Sequence, residues 1–272
     1  MKKDVTMTAV AAKLLGIPVV VRHANERPLG SGPYWRALYG RLPTRHVTNA
    51  EATKRILLTS APWLQDRDIE VIYNGVEAST YDSALPADLG IPGGALAVGF
   101  AGSFEARKGV RELVHAWREA AAAVPAAHLV LVGKGTLEAE MKASLGDTPR
   151  VHWAGYRTDM PAVLKALDVL VLPSYVEGAP NIVMEAMAAG VPVVATAVSG
   201  TPELVRDGIE ARLLQPRDSG ALARALVEVL SNEGLRKGFV SAASDRVRRL
   251  FGVGKMIDSY ERMLTGLRPA DR

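Results

Sequence analysis

Continuous apolar runs alternate with segments of helical spacing along almost the whole chain. Runs such as Val169-Leu170-Val171-Leu172 carry no alternating polar residues, which marks strands buried on both faces of a parallel sheet. In the first part strands are expected near 18–22, 45–48 and 69–73, with helices near 4–15, 34–41 and 50–60. Asn74-Gly75 reads as a turn, and 85–94, with its Pro and Gly, as a linker. In the second part strands are expected near 95–101, 129–132, 151–154, 169–172, 191–195 and 211–214. Helices fill the gaps near 109–123, 137–145, 159–166, 181–189 and 201–206. Three more follow near 219–230, 233–250 and 254–264.

This βαβ succession predicts an α/β chain with parallel sheets. The second part reads as a complete, six-stranded, doubly wound domain over 95–250, and the first, 1–86, as an incomplete Rossmann-like one. Residues 87–94 join them, and 251–272 are expected to form a helix packing back toward the first domain. A three-stranded sheet leaves an edge that a partner chain or a second copy would have to cover. No internal repeat is apparent.

Composition narrows the chemistry. The chain of 272 residues has no cysteine, which excludes disulfides, thiol catalysis and thiolate metal sites and makes the cytoplasm the simplest location. No apolar run is long enough to span a bilayer; Arg118, Glu119, Pro125 and His128 cut the longest ones. Met1-Lys2-Lys3 imitates a signal peptide, but Asp4 and Lys13 interrupt it and no small-residue cleavage site follows. A net charge of +4 suits anionic ligands or a loose attraction to an anionic membrane surface. Arg246, Arg248 and Arg249 form the densest basic cluster, most simply a solvated helix face. No basic stripe interleaves with aromatic residues, so nucleic-acid binding has no support.

The densest chemical signal lies at Glu177 and Glu185. Glu177 follows an apolar strand and precedes the loop Gly178-Ala179-Pro180, and Glu185 sits in the helix that begins at Asn181-Ile182. In open α/β sheets ligands bind at the carboxyl ends of the strands. The helix start offers N–H groups and a positive dipole end to an anion such as a diphosphate. Two flanking carboxylates could accept hydrogen bonds from ribose and sugar hydroxyls; the plain alternative is a pair of solvated charges. A second strand–loop–helix junction, Gly102 through Gly109, places Ser103, Arg107 and Lys108 at its lip. Gly133-Lys134-Gly135 begins like a dinucleotide fingerprint, yet Glu138 stands where the third glycine belongs, which disfavours a dehydrogenase. Asp66-Arg67-Asp68 has the form of a metal-holding Asp-x-Asp, but it precedes a strand of the first domain, far from the glutamates. No two histidines have i, i+4 spacing, and no metal site is expected.

The stretch from Glu177 to Val194 resembles the Glu-x7-Glu signature of the retaining family 4 glycosyltransferases, which have the two-domain GT-B fold. The resemblance implies a metal-independent hexosyltransferase of glycan biosynthesis. It would take a UDP- or GDP-linked sugar as substrate, need no cofactor, and transfer to a carbohydrate or lipid-linked acceptor. It gives Glu177 the donor sugar and Glu185 the ribose. Lys108 corresponds to the family's phosphate-binding lysine, and Ser103 stands where many members have arginine, with Arg107 as the substitute. Gly133 lies in a loop lining the cleft, and Tyr156 and Arg157 lie in the loop that packs the base. His23, at the end of a strand, corresponds to a histidine near the donor sugar and acceptor. Asn74-Gly75-Val76 matches the family's Asn-Gly-Val before the interdomain linker. The resemblance makes 1–86 the acceptor side and 95–250 the donor side. The family's amino-terminal domain carries further elements, including a glycine-rich loop. The alternative expectation is therefore a sugar-nucleotide-binding module or one half of a split glycosyltransferase.

Overall fold

A computed structural model of the chain describes residues 2–24, 27–146, 148 and 150–267. The chain begins with α1 (Lys2–Leu14) and β1 (Val20–His23). A helical turn, α2 (Pro33–Trp35), opens on a proline whose missing N–H costs nothing at a helix start, and continues as a π-helical run, Arg36–Arg41. β2 (Arg45–Thr48), α3 (Glu51–Ser60) and β3 (Ile69–Val71) follow. β1, β2 and β3 form a parallel sheet in that order, with Val21 opposite His46 and His23 opposite Thr48. Side chains alternate along a strand, so His23, Thr48 and His46 share one face. Leu57, Ala61, Leu64 and Ile69 form the core between α3 and this sheet.

The next stretch runs α4 (Ala78–Asp82), β4 (Leu96–Ala101), α5 (Val110–Ala123), β5 (Ala127–Val132), α6 (Glu138–Leu145) and β6 (Val151–Gly155). It continues through α7 (Met160–Lys165), β7 (Val169–Leu172), α8 (Asn181–Ala189), β8 (Val193–Thr196), α9 (Thr201–Leu204) and β9 (Ala211–Leu214). α10 (Ser219–Ser231), α11 (Glu233–Leu250) and α12 (Val253–Thr265) close the chain. The second sheet has the order β6-β5-β4-β7-β8-β9, all parallel. Its strand order reverses between β4 and β7, so the loops leaving those two strands flank a topological switch point. β7 is buried along its whole length, as its unbroken Val-Leu-Val-Leu run requires. Phe100, Trp117, Leu129, Leu131 and Phe239 anchor the core. Among the described residues no helix is long and apolar enough to cross a membrane.

The chain divides into two compact units: Met1–Gly75 with Val253–Arg272, and Val76–Gly252. α12 thus belongs to the first unit, where Met263, Met256 and Tyr260 pack with Val47 and Ile72. Residues 76–86 belong to the second unit, although the pattern grouped them with the first. The pattern also misses α4, whose five residues are too few to display a period. Asn74-Gly75 is not a turn: residues 72–75 carry no turn, Asn74 accepts from the Arg22 guanidinium, and Val76 bridges Gly252.

Candidate functional site

β4 leads into Gly102–Phe104 and then a single 3-10 turn, Ala106–Lys108. Gly109 ends that turn in the left-handed region, φ 65°. A Cβ there would also collide with the Pro173 carbonyl oxygen, so only glycine lets this loop approach the end of β7. The Tyr175 N–H donates to the Arg107 carbonyl at 2.8 Å and stitches the two switch-point loops together.

Across that seam Lys108 Nζ lies 2.6 Å from Glu177 Oε1. The Ser174 hydroxyl donates to the same oxygen at 2.7 Å, and the Glu177 N–H donates to Ser199 Oγ at 3.2 Å. Glu177 is 8% exposed and the Lys108 side chain 15%. Both donors hold Oε1, which leaves Oε2 to accept from a ligand hydroxyl. Behind them the Thr196 hydroxyl donates to the Ser174 carbonyl, and Ser199 sits at φ 53°. The Arg217 guanidinium lies over the Tyr175 ring at 4.5 Å. Burial, then a hydrogen bond with Glu112, pushes the Tyr175 hydroxyl up to about 12. The loop between β7 and α8 is therefore tied to Arg107 and Lys108 on one side and to Thr196 and Ser199 on the other.

α8 starts at Asn181 after the buried Ala179 and Pro180, and Pro180 supplies no side-chain cap. Its buried Val183, Met184, Ala186 and Met187 seat it on the sheet, and this aims its positive end at the switch point. Glu185 is half-buried, and burial holds its carboxyl above the usual range. Tyr81 of α4 is buried beside it. Burial first, and the Glu185 charge second, push the Tyr81 hydroxyl up to about 12.

Beside the β4 loop opens a cleft of about 260 Å³ lined by Gly133, Tyr156, Arg157 and Ile182, with Gly102 and Met160. Gly133 has φ 137° and no room for a Cβ against the Gly102 carbonyl oxygen. Tyr156 is 72% exposed, and Asp159 grips the Arg157 guanidinium at 2.8 and 2.6 Å. Arg107 pairs with Glu105 at 2.8 Å and reaches Ser103 Oγ at 3.5 Å.

The second unit thus gathers Lys108, Glu177, the Gly178–Ile182 helix start, Ser103, Gly133, Tyr156 and Arg157 around the carboxyl ends of its strands. His23 lies in the first unit, its Nε2 3.0 Å from His46 Nδ1. Sequence reasoning missed Ser174, Ser199, Tyr175 and Tyr81. Ser174 could have been found three positions before Glu177 at a strand end, whereas Ser199 and Tyr81 reach the site only through the fold. The Asp-x-Asp sequence holds other partners: Asp66 pairs with Lys54 at 2.9 Å, and Asp68 accepts from the Gln65 N–H at 2.9 Å. The basic cluster is not simply a solvated face. Arg246 donates to the Leu204 and Glu203 carbonyls, and Arg248 pairs with Asp82 at 2.6 Å.

Residues 95–232 match the family model described as "Glycosyl transferases group 1". The chain is 30% identical over 201 residues to the lipopolysaccharide core biosynthesis glycosyltransferase LpsE of Rhizobium meliloti (strain 1021), which covers 73% of this chain and 58% of LpsE. It is 30% identical over 287 residues to the 2-deoxystreptamine glucosyltransferase of Streptomyces kanamyceticus, covering 94% of this chain and 73% of that one. The chain thus spans little more than half the length of LpsE. Among solved structures, Anabaena Alr3699/HepE in complex with UDP and glucose is similar in fold, with a TM-score of 0.86 at 22% identity. That likeness covers 98% of this chain and 76% of HepE.

Proposed function

This chain belongs to the group 1 glycosyl transferases, and on that premise we propose that it moves a sugar from a nucleotide-sugar donor to a carbohydrate or lipid-linked acceptor. One observation carries the reading: Lys108 and Glu177 meet at 2.6 Å at the switch point, beside the start of α8. An ammonium and a helix N-terminus suit the negative charge that grows on a departing diphosphate. No metal is needed in this scheme. Glu177 Oε2 accepts a sugar hydroxyl, Glu185 the ribose hydroxyls, and the cleft at Gly133, Tyr156 and Arg157 takes a uracil or guanine base. Transfer proceeds with retention, by front-face attack without a covalent glycosyl-enzyme. The second unit acts as the donor side and the first unit as the acceptor side, where His23 meets a carbohydrate hydroxyl. The +4 charge favours work near an anionic membrane surface, from the cytoplasmic side.

The three-stranded sheet of the first unit favours a second reading, in which this polypeptide binds the sugar nucleotide while a partner chain or second copy completes the acceptor side. Calorimetric titration of the purified chain with UDP, GDP, UDP-glucose and GDP-mannose separates these readings from failure of both. Binding with donor hydrolysis supports the transferase, and binding without turnover supports the module. Loss of all nucleotide binding overturns both. Removing a preorganised donor to the leaving group costs on the order of 10²–10³ in kcat, so Lys108→Ala is expected to fall by that factor.

A further inference from the structure

The first unit holds a chain of three groups, of which the reading above uses only His23. His46 Nε2 lies 2.7 Å from the Tyr39 carbonyl oxygen. A carbonyl oxygen only accepts, so this nitrogen carries a proton. A neutral imidazole has one N–H, which makes His46 Nδ1 a bare lone pair. His23 Nε2 is 3.0 Å from it, and two lone pairs at that separation repel. His23 Nε2 must therefore be the donor, and by the same count His23 Nδ1 is left without a proton. The ring centroids are 5.2 Å apart with the planes at 29°, so the two rings meet edge to edge and each nitrogen points along the line between them.

Both rings are neutral near pH 7. Burial, and then the His46 ring, lower His23 to about 4. Burial lowers His46 as well, against the smaller opposing pull of the Tyr39 carbonyl and the Asp68 carboxylate. Tyr39 itself has its hydroxyl pushed up by burial and then by Tyr34, so it stays uncharged beside the pair.

We propose that His46, anchored on the Tyr39 carbonyl, is a positioning residue that locks His23 in its Nε2–H tautomer and so presents Nδ1 as a hydrogen-bond acceptor at the carboxyl end of β1. The chemical consequence is selective. A ligand hydroxyl can donate to that nitrogen, whereas a phosphate or carboxylate oxygen would meet a lone pair. The ligand group at His23 is thus a carbohydrate hydroxyl and not the diphosphate. This last step rests on the reading that His23 faces the sugar; the tautomer lock does not.

The test uses the full, ligand-free chain labelled with ¹⁵N, at pH 7.5. Long-range ¹H–¹⁵N spectra of the imidazoles are expected to show both His23 and His46 protonated at Nε2 only. A scalar coupling across the N–H···N bond is expected between His23 Nε2 and His46 Nδ1. In His46→Phe the coupling is lost and the His23 Nε2 proton exchanges freely with water. In His46→Asn, whose Oδ1 accepts where Nδ1 did, slow exchange of that proton returns. A wild-type proton on His23 Nδ1 or on His46 Nδ1 overturns the proposal, as does an unchanged His23 signal in the Phe variant. If the Phe variant does not fold, the wild-type and Asn spectra decide alone. Separately, His23→Gln with unaltered donor binding and turnover would remove His23 from the site while leaving the tautomers as stated.

Discussion

The two units handle polar side chains at strand ends in opposite ways. The second places a charged pair, Lys108 and Glu177, at the switch point of a six-stranded sheet, with the Ser174 hydroxyl donating to the carboxylate and Ser199 Oγ accepting from the Glu177 backbone N–H. The first pairs two neutral histidines, His23 at the end of the edge strand β1 and His46 on the middle strand β2. It also buries polar atoms without partners at Arg45, Thr48, Asn49, Thr53 and Trp63, whereas the larger second unit has them only at Glu112, Trp117 and Thr201 among the described residues. The comparison teaches that a sheet with a switch point offers a crevice that can hold a charged pair, while the three-stranded sheet holds its polar pair neutral.

The largest effect expected to break this contrast comes from Lys108→Ala. Removing one partner of a buried ion pair leaves the other charge stranded, at a cost of about 3 kcal/mol or more. Calorimetric unfolding should show the loss as a lowered transition of the second unit. An unchanged transition would mean that Glu177 finds enough water in the crevice to need no counter-charge.

A smaller effect sharpens the contrast from the other side. His23 and His46 are held below their usual value, so the folded first unit prefers them neutral. A lowered histidine contributes stability above its unfolded pKa of about 6.5, and that stability drains as pH falls from there toward 4. Hydrogen exchange across 20–23 and 45–48 should therefore quicken on the order of tenfold between pH 7 and pH 5, after correction for the intrinsic pH dependence of exchange. That factor corresponds to about 1.4 kcal/mol. The same correction applied to β7 should leave it unchanged. Equal acceleration in both sheets would sink the idea that the histidine pair sets the acid response.

Much of this was legible in advance, for identifiable reasons. Val169–Leu172 and Asn181–Ala189 fall where the apolar pattern places them because a doubly buried strand and a seated helix leave unambiguous periods. β2 and β9 also keep their expected bounds, although neither is a continuous apolar run. The loop residues around Glu177 were legible because strand, turn and helix follow one another within a few positions. Ser199 and Tyr81 were not, since each arrives at the site from a different element and carries no local mark of its role. Asn74-Gly75 misled because turn chemistry is local, while its extended backbone is fixed by Arg22 and by the Val76–Gly252 bridge, partners distant in sequence. The His23–His46 pairing is a register effect: it follows from His23 lying opposite Thr48, which no spacing along one strand can reveal.

Glu185 provides the smallest effect and the most discriminating one, because function and stability should move in opposite directions there. Its carboxyl is half-buried and shifted upward by burial. A raised carboxyl is favoured in its protonated form by the folded chain. The fold is therefore unpenalised below the unfolded value near 4.5, and it loses stability as pH rises through the window up to the shifted pKa. At neutral pH the charge is a cost that the second unit tolerates. Glu185→Gln removes the charge while keeping the shape, so it should stabilise the second unit by on the order of 1 kcal/mol at pH 7, as relief of strain at functional sites commonly does. The gain should vanish by pH 4, where the wild-type carboxyl is itself protonated. The same substitution should weaken UDP binding about tenfold, roughly the worth of one hydrogen bond to a charged group. A variant that is both more stable and equally tight for UDP would take Glu185 out of the ribose site. One that is less stable would show that Tyr81 and its neighbours stabilise the carboxylate more than burial penalises it.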